Sequence, residues 1–267
     1  MSDRPRTLIL AIANQKGGVG KTTTAINLAA GLAARGLPTL LIDLDPQGNA
    51  STGLGFDRAA SFIGTYELLL GDRPALDAVV PTGVANLSLI QADTDLVGAE
   101  IELVEAEDRA HRLSKSLAGL PADRFRVIVI DCPPSLGLLN LNGLAAADAV
   151  LVPLQCEFFA LEGISQLMRT IDRVKGGLNP RLKLAGIVLT MYDRRNNLTD
   201  LVADDARGFF GDKVFQTTIP RNIRISEAPS HGKPVLSYDP RSAGALAYVQ
   251  LADELIQREH LQISAPN

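Results

Sequence analysis

Eight consecutive residues, Gln15-Lys16-Gly17-Gly18-Val19-Gly20-Lys21-Thr22, have the types and spacing to hold a polyphosphate. The glycines let the backbone take positive φ and pass close to phosphate oxygens, so that successive N–H groups converge on an anion. The lysine-threonine pair that follows offers an ammonium to the terminal phosphates and a hydroxyl to Mg²⁺. The common pattern G-x-x-x-x-G-K-[ST] fails at its first position, occupied by Gln15, and what matches is K-G-G-x-G-K-T. Six fixed positions at ordinary residue frequencies make a chance match in a chain of this length on the order of 10⁻⁵. A glycine-rich turn ahead of a Thr-capped helix would explain the glycines and Thr22 to Thr24, but neither lysine.

The flanking residues say how the loop is held. Thr7 to Asn14 is a short, mostly apolar run of buried-strand type, and Ala25, Leu28, Ala29, Leu32 and Ala33 recur at helical spacing through Thr22 to Arg35. The loop therefore joins a strand to a helix N-terminus, whose dipole favours negative charge. Lys21 is expected to reach the β- and γ-phosphates and Thr22 to bind the metal directly. Lys16, at the other end of the loop, is badly placed to fold back onto phosphates that Lys21 already serves. Its expected target is the nucleotide of a second protomer.

The loop resembles that of the ParA/MinD family of P-loop ATPases, in which a signature lysine crosses a nucleotide-sandwich dimer. Further segments are similar: Asp43-Leu44-Asp45-Pro46-Gln47-Gly48-Asn49 after a second apolar run, Val127 to Asp131 followed by Cys132-Pro133-Pro134, and Pro220-Arg221-Asn222 near the end. About residues 7 to 258 fit the pattern of ParA/Soj chromosome-partitioning proteins. The resemblance implies ATP and Mg²⁺ as cofactors and ATP contacts from Lys16, Gly17, Gly18, Val19, Gly20, Lys21, Thr22 and Thr23. It implies that Asp45 positions the attacking water, and that Asp43 and the Walker B acid Asp131 reach the metal through water. Lys16, Lys21 and Asp45 are then the catalytic set. Pro220 and Asn222 match the loop that lines adenine, with Met191 as an apolar neighbour, although a turn-forming Pro beside an Asn cap would look the same.

Strand-length apolar runs at Thr7 to Ala13, Thr39 to Ile42, Leu87 to Ile90, Val127 to Ile130, Ala149 to Pro153, Leu184 to Met191 and Val214 to Ile219 alternate with helical patterns. The helices are expected over Thr22 to Arg35, Gly98 to Leu120, Leu136 to Ala146, Leu161 to Lys175, Leu198 to Phe210 and Ser242 to Glu259. Strands apolar on both faces, separated by helices, give an α/β fold: a doubly wound, mainly parallel sheet with helices on both faces, of P-loop NTPase type. Ligands of such sheets bind beyond the strands' carboxyl ends, where the motifs fall.

At 267 residues the chain fits one ATPase domain with an ordered core over about 7 to 260 and loose ends at Met1 to Arg6 and Ile263 to Asn267. No N-terminal helix-turn-helix domain is expected. A net charge of −4 argues against an overall basic surface, so nucleic acid must meet a local patch. Cys132 and Cys156 lack metal-ligand spacing. The iron protein of nitrogenase, a relative, holds a cluster on cysteines, but here both are read as buried apolar side chains. No signal segment or transmembrane stretch stands out, and with two unpaired cysteines a reduced, cytoplasmic setting is expected.

Arg194, Arg195, Lys213, Arg221, Arg224, Lys233 and Arg241 gather in the C-terminal part, among acids that also allow a plain solvated surface. Arg195 and Arg224 match positions of non-specific duplex-DNA binding in Soj-type relatives. The expected cycle is an ATP-bound homodimer on the nucleoid, released when a ParB-type partner stimulates hydrolysis. A MinD-like ATPase cycling on membrane is an alternative, but Leu251 to Asn267 lacks a basic amphipathic anchor. A metabolic P-loop enzyme resembling dethiobiotin synthetase is another.

Overall fold

The computed structural model describes residues 6–57, 62–71, 73–92, 94–121, 123–135, 137–157 and 160–263, with the side chains of 160–163 excepted. The expectation of loose ends at 1–5 and 264–267 lies outside these residues. Arg6 is held, its guanidinium paired with Asp148, and Ile263 lies just past the last helix.

Among the described residues one sheet contains β1 (Leu8–Ile12), β2 (Thr39–Asp43), β3 (Val80–Pro81), β4 (Leu87–Ile90), β5 (Val127–Asp131), β6 (Ala149–Gln155), β7 (Lys183–Tyr192) and β8 (Val214–Pro220). Their order is β3-β4-β2-β5-β1-β6-β7-β8, parallel except for the short β3 at one edge. Alternation along each strand divides the core between the two faces. Leu10, Ile12, Val127 and Val129 join one apolar cluster, whereas Ala11, Ala13, Ile128 and Ile130 join the other. The first is covered by α1 (Lys21–Ala34) and α11 (Ala243–Arg258), through residues such as Leu28, Leu32, Tyr248 and Leu251. Ser242 caps α11, its hydroxyl accepting from the Ala245 N–H at 3.2 Å.

The remaining helices are α2 (Asn49–Gly53), α3 (Thr65–Leu70), α4 (Leu96–Glu102), α5 (Arg112–Leu117), α6 (Leu138–Ala146), α7 (Ala160–Gly177), α8 (Asn197–Phe210), α9 (Ile223–Glu227) and α10 (Val235–Tyr238). The helix expected over Gly98 to Leu120 is instead two short helices, α4 and α5, joined through a 3₁₀ turn at Arg109–His111. A continuous helix would stack Glu102 on Glu105 and Glu105 on Asp108, three residues apart and of like charge. The chain turns, and Asp108 pairs with Arg112 at 3.0 Å and Lys115 at 2.7 Å. Leu136, expected to open the next helix, lies outside the described residues, and α6 begins at Leu138. The short helices α2, α3, α9 and α10 and the edge strand β3 were not expected.

β1 lies between β5 and β6. Connections diverge from it to both halves of the sheet, which makes its carboxyl end a topological switch point and the natural ligand crevice.

Candidate nucleotide site

The loop that leaves β1 is tied down at both ends. The Asn14 amide donates to the Pro153 carbonyl of β6 at 2.7 Å, and its oxygen accepts from the Lys16 N–H at 3.0 Å. The Thr190 hydroxyl, on β7, donates to the Val19 carbonyl at 2.9 Å. Between these anchors Gly18 and Gly20 have φ of 75° and 85°, a region closed to most side chains. Gly20 is the N-cap of α1 and brings no side chain to its free N–H groups. They remain directed at the space above the loop, as an anion site requires.

Lys21 is nearly buried, and its ammonium donates to the Lys16 carbonyl at 3.0 Å across the loop. Burial lowers its pKa, while Asp131 and Asp45 act in the opposite direction. Lys16 points away. Its Nζ lies 2.7 Å from Oε2 of Glu157, in the same chain, and this exposed pair stands outside the cavity.

The cavity over the loop has a volume of about 360 Å³, with Gly18, Lys21, Thr22, Asp45, Gln47 and Asn49 among its lining residues. Three carboxylates approach it in different states. Asp43 and Asp131 occupy the same register on the adjacent strands β2 and β5, and both are fully buried. Asp43 is satisfied: Oδ2 accepts from the Ser51 N–H at 2.8 Å and the Ser51 hydroxyl at 2.7 Å, and Oδ1 accepts from the Asp45 N–H at 3.3 Å. Burial still pushes its pKa up to about 6, the Ser51 bonds opposing the rise. Both oxygens of Asp131 are buried without a hydrogen bond. Burial raises its pKa, the charge of Asp43 adds to the rise, and the nearby Thr22 hydroxyl offsets only part of it. Asp45 is reached from the cavity, and its Oδ1 accepts from the Gln47 N–H at 2.9 Å.

A second cavity, also of about 360 Å³, adjoins the first and shares Gly20, Thr23 and Met191 with it. Its walls include Ile219, Pro220, Asn222, Ile225 and Tyr248, a mostly apolar slot with a few polar groups, as a planar base needs. Asn222 also caps α9, its oxygen accepting from the Arg224 N–H at 2.9 Å. The adenine-loop and cap readings are therefore compatible. Gln47, Asn49 and Pro134 belong to segments that the sequence singled out without giving them a role, whereas Thr190 lies inside a strand and gives no such signal.

Arg195 is exposed and forked onto Asp193, with Nε–Oδ1 and Nη2–Oδ2 each at 2.9 Å, which draws the Asp193 pKa down to about 2. Arg224 pairs with Glu227 at 2.8 Å and Asp239 at 3.3 Å. Arg221 is joined to the Arg195 segment by its N–H bond to the Tyr192 carbonyl at 3.0 Å. Lys213 precedes β8 and so sits at the opposite end of the sheet, apart from this group. Cys132 and Cys156 are buried thiols, and burial raises both pKa values, that of Cys156 to about 11. No helix among the described residues is long and apolar enough to cross a membrane.

These residues fit a nucleoside triphosphate with a divalent cation. The buried, unbonded Asp131 carboxylate beside Thr22 suits the cation's water shell, and the open N–H cradle and Lys21 suit the phosphates.

A family model described as an AAA domain matches residues 7–184. The chromosome partitioning protein ParA of Caulobacter vibrioides (strain NA1000 / CB15N) is 59% identical over 252 residues, 94% of each chain. The sporulation initiation inhibitor protein Soj of Bacillus subtilis (strain 168) is 51% identical, over 92% of this chain and 97% of its own. Among solved structures, cobyrinic acid a,c-diamide synthase from Mycobacterium smegmatis with bound ADP and magnesium superposes with a TM-score of 0.84. It is 40% identical, over 97% of this chain and 100% of that one. The same enzyme with an ATP analog and magnesium gives 0.83 at 41% identity, over 95% and 96%. By its loop, its sheet and its relatives the chain belongs to the ParA/Soj family of chromosome-partitioning P-loop ATPases.

Proposed function

We propose that this ATPase segregates DNA by a nucleotide-driven dimer cycle. ATP closes two protomers around paired nucleotides, the dimer binds duplex DNA without regard to sequence, and a ParB-type partner triggers hydrolysis and release. The observation that carries the reading is the division between the two lysines: Lys21 lines its own phosphate cavity, whereas Lys16 lies outside it on the exposed rim. A side chain at that rim is free to serve a neighbouring protomer once its surface ion pair opens.

Within the site, Gly17 to Thr23 of one protomer and Lys16 of the other hold the phosphates, and Met191, Pro220 and Asn222 line the base. Thr22 would ligate Mg²⁺ directly, with Asp131 and Asp43 behind it through water. Asp131 has free lone pairs for this, whereas those of Asp43 are largely taken by Ser51. Mg²⁺ held there would neutralise charge on the phosphates. Asp45, fixed by the Gln47 N–H and by its own N–H on Asp43, accepts a hydrogen bond from the attacking water and aligns it. Lys16 of the second protomer adds positive charge where the γ-phosphoryl leaves, so turnover is slow until the dimer and the partner assemble.

DNA contact falls to Arg195 and Arg224, doubled by the dimer. ATP then governs DNA affinity by changing the dimer population. Sedimentation with duplex DNA tests the cycle: association is expected with ATP and not with ADP, and equal association in both would refute it.

The likeness to cobyrinic acid a,c-diamide synthase supports a second reading, in which ATP activates a carboxylic acid on a small molecule. ADP release that depends on such an acid, with no DNA association, would favour it. We further propose that residues 1–267 act as one domain, in the cytoplasm on the nucleoid.

A further inference from the structure

The main chain that presents Asp45 to the phosphate cavity is held at consecutive points. The Thr65 hydroxyl donates to the Asp43 carbonyl at 2.7 Å, and the Leu44 N–H donates to the Asp131 carbonyl at 3.1 Å. The Asp45 N–H donates to Oδ1 of Asp43 at 3.3 Å, and the Asp45 carbonyl accepts from the Gly48 N–H at 2.8 Å. A carboxylate aimed by its own backbone is only as well aimed as the anchors of that backbone. Two side chains that carry these anchors, Ser51 and Thr65, lie outside the segments that resemble the family.

Ser51 acts through Asp43. Helix α2 starts after Gly48, at φ 59°, which brings no side chain to the free N–H groups of its first turn. Asp43 supplies the missing acceptor from the preceding strand, its Oδ2 taking both the Ser51 N–H at 2.8 Å and the Ser51 hydroxyl at 2.7 Å. The same hydroxyl oxygen accepts from the Ala92 N–H at 3.1 Å, just past β4. A relay of hydrogen bonds thus runs from the end of β4 through Ser51 and Asp43 to the Asp45 N–H. Thr65, the first residue of α3, reaches the same place: its hydroxyl lies 3.0 Å from the Gln91 carbonyl, and its N–H donates to that carbonyl at 2.9 Å. Asp43, Ser51 and Thr65 are all buried, where a hydrogen bond left unmade is costly and a completed network is rigid. Helix α2 is also wedged against α1, since a Cβ on Gly53 would meet Ile26 at 2.7 Å.

We propose that Ser51 and Thr65 are positioning residues for hydrolysis that act through Asp45, and whose effect therefore depends on the role given to Asp45 above. Neither lines the phosphate cavity or the base cavity. They govern the rate of the chemical step and not the affinity for nucleotide.

The test is single-turnover hydrolysis of labelled ATP by the full chain in excess, beside calorimetric ATP affinity and thermal melting. Ser51→Ala, and Thr65→Val, which removes the hydroxyl but keeps the shape, should each slow hydrolysis by about tenfold or more, since a misplacement near 1 Å can cost about 100-fold. ATP affinity should move by less than about threefold, the mark of an interaction that matters only in the transition state. Thr65→Ser, which keeps the hydroxyl, should recover most of the lost rate. In an Asp45→Ala background Ser51→Ala should cost less than about twofold, because residues that act as a unit are not additive. An equal fold-loss in both backgrounds would overturn the proposal, making Ser51 a brace for the site as a whole. So would parent-like rates in Ser51→Ala and Thr65→Val beside a slow Asp45→Ala, an outcome that leaves the role of Asp45 standing. A parent-like rate in Asp45→Ala would remove that role and the proposal with it. Should Ser51→Ala fail to fold, Thr65→Val against Thr65→Ser, in the same two backgrounds, decides.

Discussion

Lys16 and Glu157 form an ion pair 2.7 Å long that ties the signature lysine to the end of β6 in its own chain. The side chain proposed to cross between protomers is therefore occupied before the dimer exists. Exposed pairs of this kind are worth up to about 1 kcal/mol, so release is easy but not free. Glu157→Gln should lower the protein concentration needed for dimerisation with a non-hydrolysable ATP analogue by roughly threefold to tenfold, one or two such pairs per dimer. Lys16→Ala should weaken the dimer and lower turnover while each protomer still binds ATP. Sedimentation velocity and steady-state ATPase assays read both, and identical dimer formation in all three proteins would remove Lys16 from the interface.

Asp45 and Lys21 should separate chemistry from binding. Asp45→Ala should cut single-turnover hydrolysis by about 100-fold or more, the usual worth of a group that handles the attacking water's proton, and trap the ATP-bound dimer. Nucleotide affinity should stay within a few-fold. Lys21→Ala should instead lose affinity, since its ammonium is the cavity's buried positive charge. Calorimetric titration beside quenched-flow hydrolysis tells these outcomes apart, and normal hydrolysis by the Asp45 variant would sink the assignment.

Burial of Asp43 gives the nucleotide-free protein a pH signature. Its folded pKa, about 6, lies above the ordinary carboxyl value of 3.8. Between these values the folded carboxyl holds a proton that the unfolded one has released, so this group's contribution to stability falls as pH rises from about 4 to about 6, then levels off. Asp131, also raised, acts in the same direction. Asp43→Asn should show a flatter melting temperature over this window than the parent, measured calorimetrically without nucleotide. Parallel curves would mean that the carboxylate is ionised throughout.

The arginines proposed to meet DNA are each held by acids. Arg195→Ala and Arg224→Ala should weaken ATP-dependent association at every sequence tested. Each should reduce the slope of log affinity against log salt by about 2 for the dimer, one phosphate contact per protomer. Asp193→Asn should strengthen association, because it frees the Arg195 fork. If both arginine variants coat DNA as the parent does, the patch lies elsewhere.

The phosphate loop was readable because its chemistry is local: three glycines and two lysines within eight residues need no tertiary information. Strands buried on both faces, such as Val127–Asp131, were legible for a similar reason, their apolar runs being continuous. Helices α2 and α9, five residues each, leave too short a period to detect. Gly98 to Leu120 misled because its apolar spacing continues through a cluster of acids that the folded chain turns away from. Ion pairs were the least legible feature. Nothing adjacent to Lys16 announces Glu157, which stands 141 positions along the chain. The partnership of Asp43 with Ser51 likewise exists only because α2 folds back over the end of β2.

Met191 holds φ at 51°, costly for a side chain with a Cβ, directly after Thr190, whose hydroxyl grips the Val19 carbonyl. A wall residue of the second cavity and the clasp on the phosphate cradle are thus consecutive residues of β7. If Met191 meets the base as proposed, a change of nucleobase should surface as altered phosphate affinity as well as altered fit, because the residue beside it holds the phosphate loop.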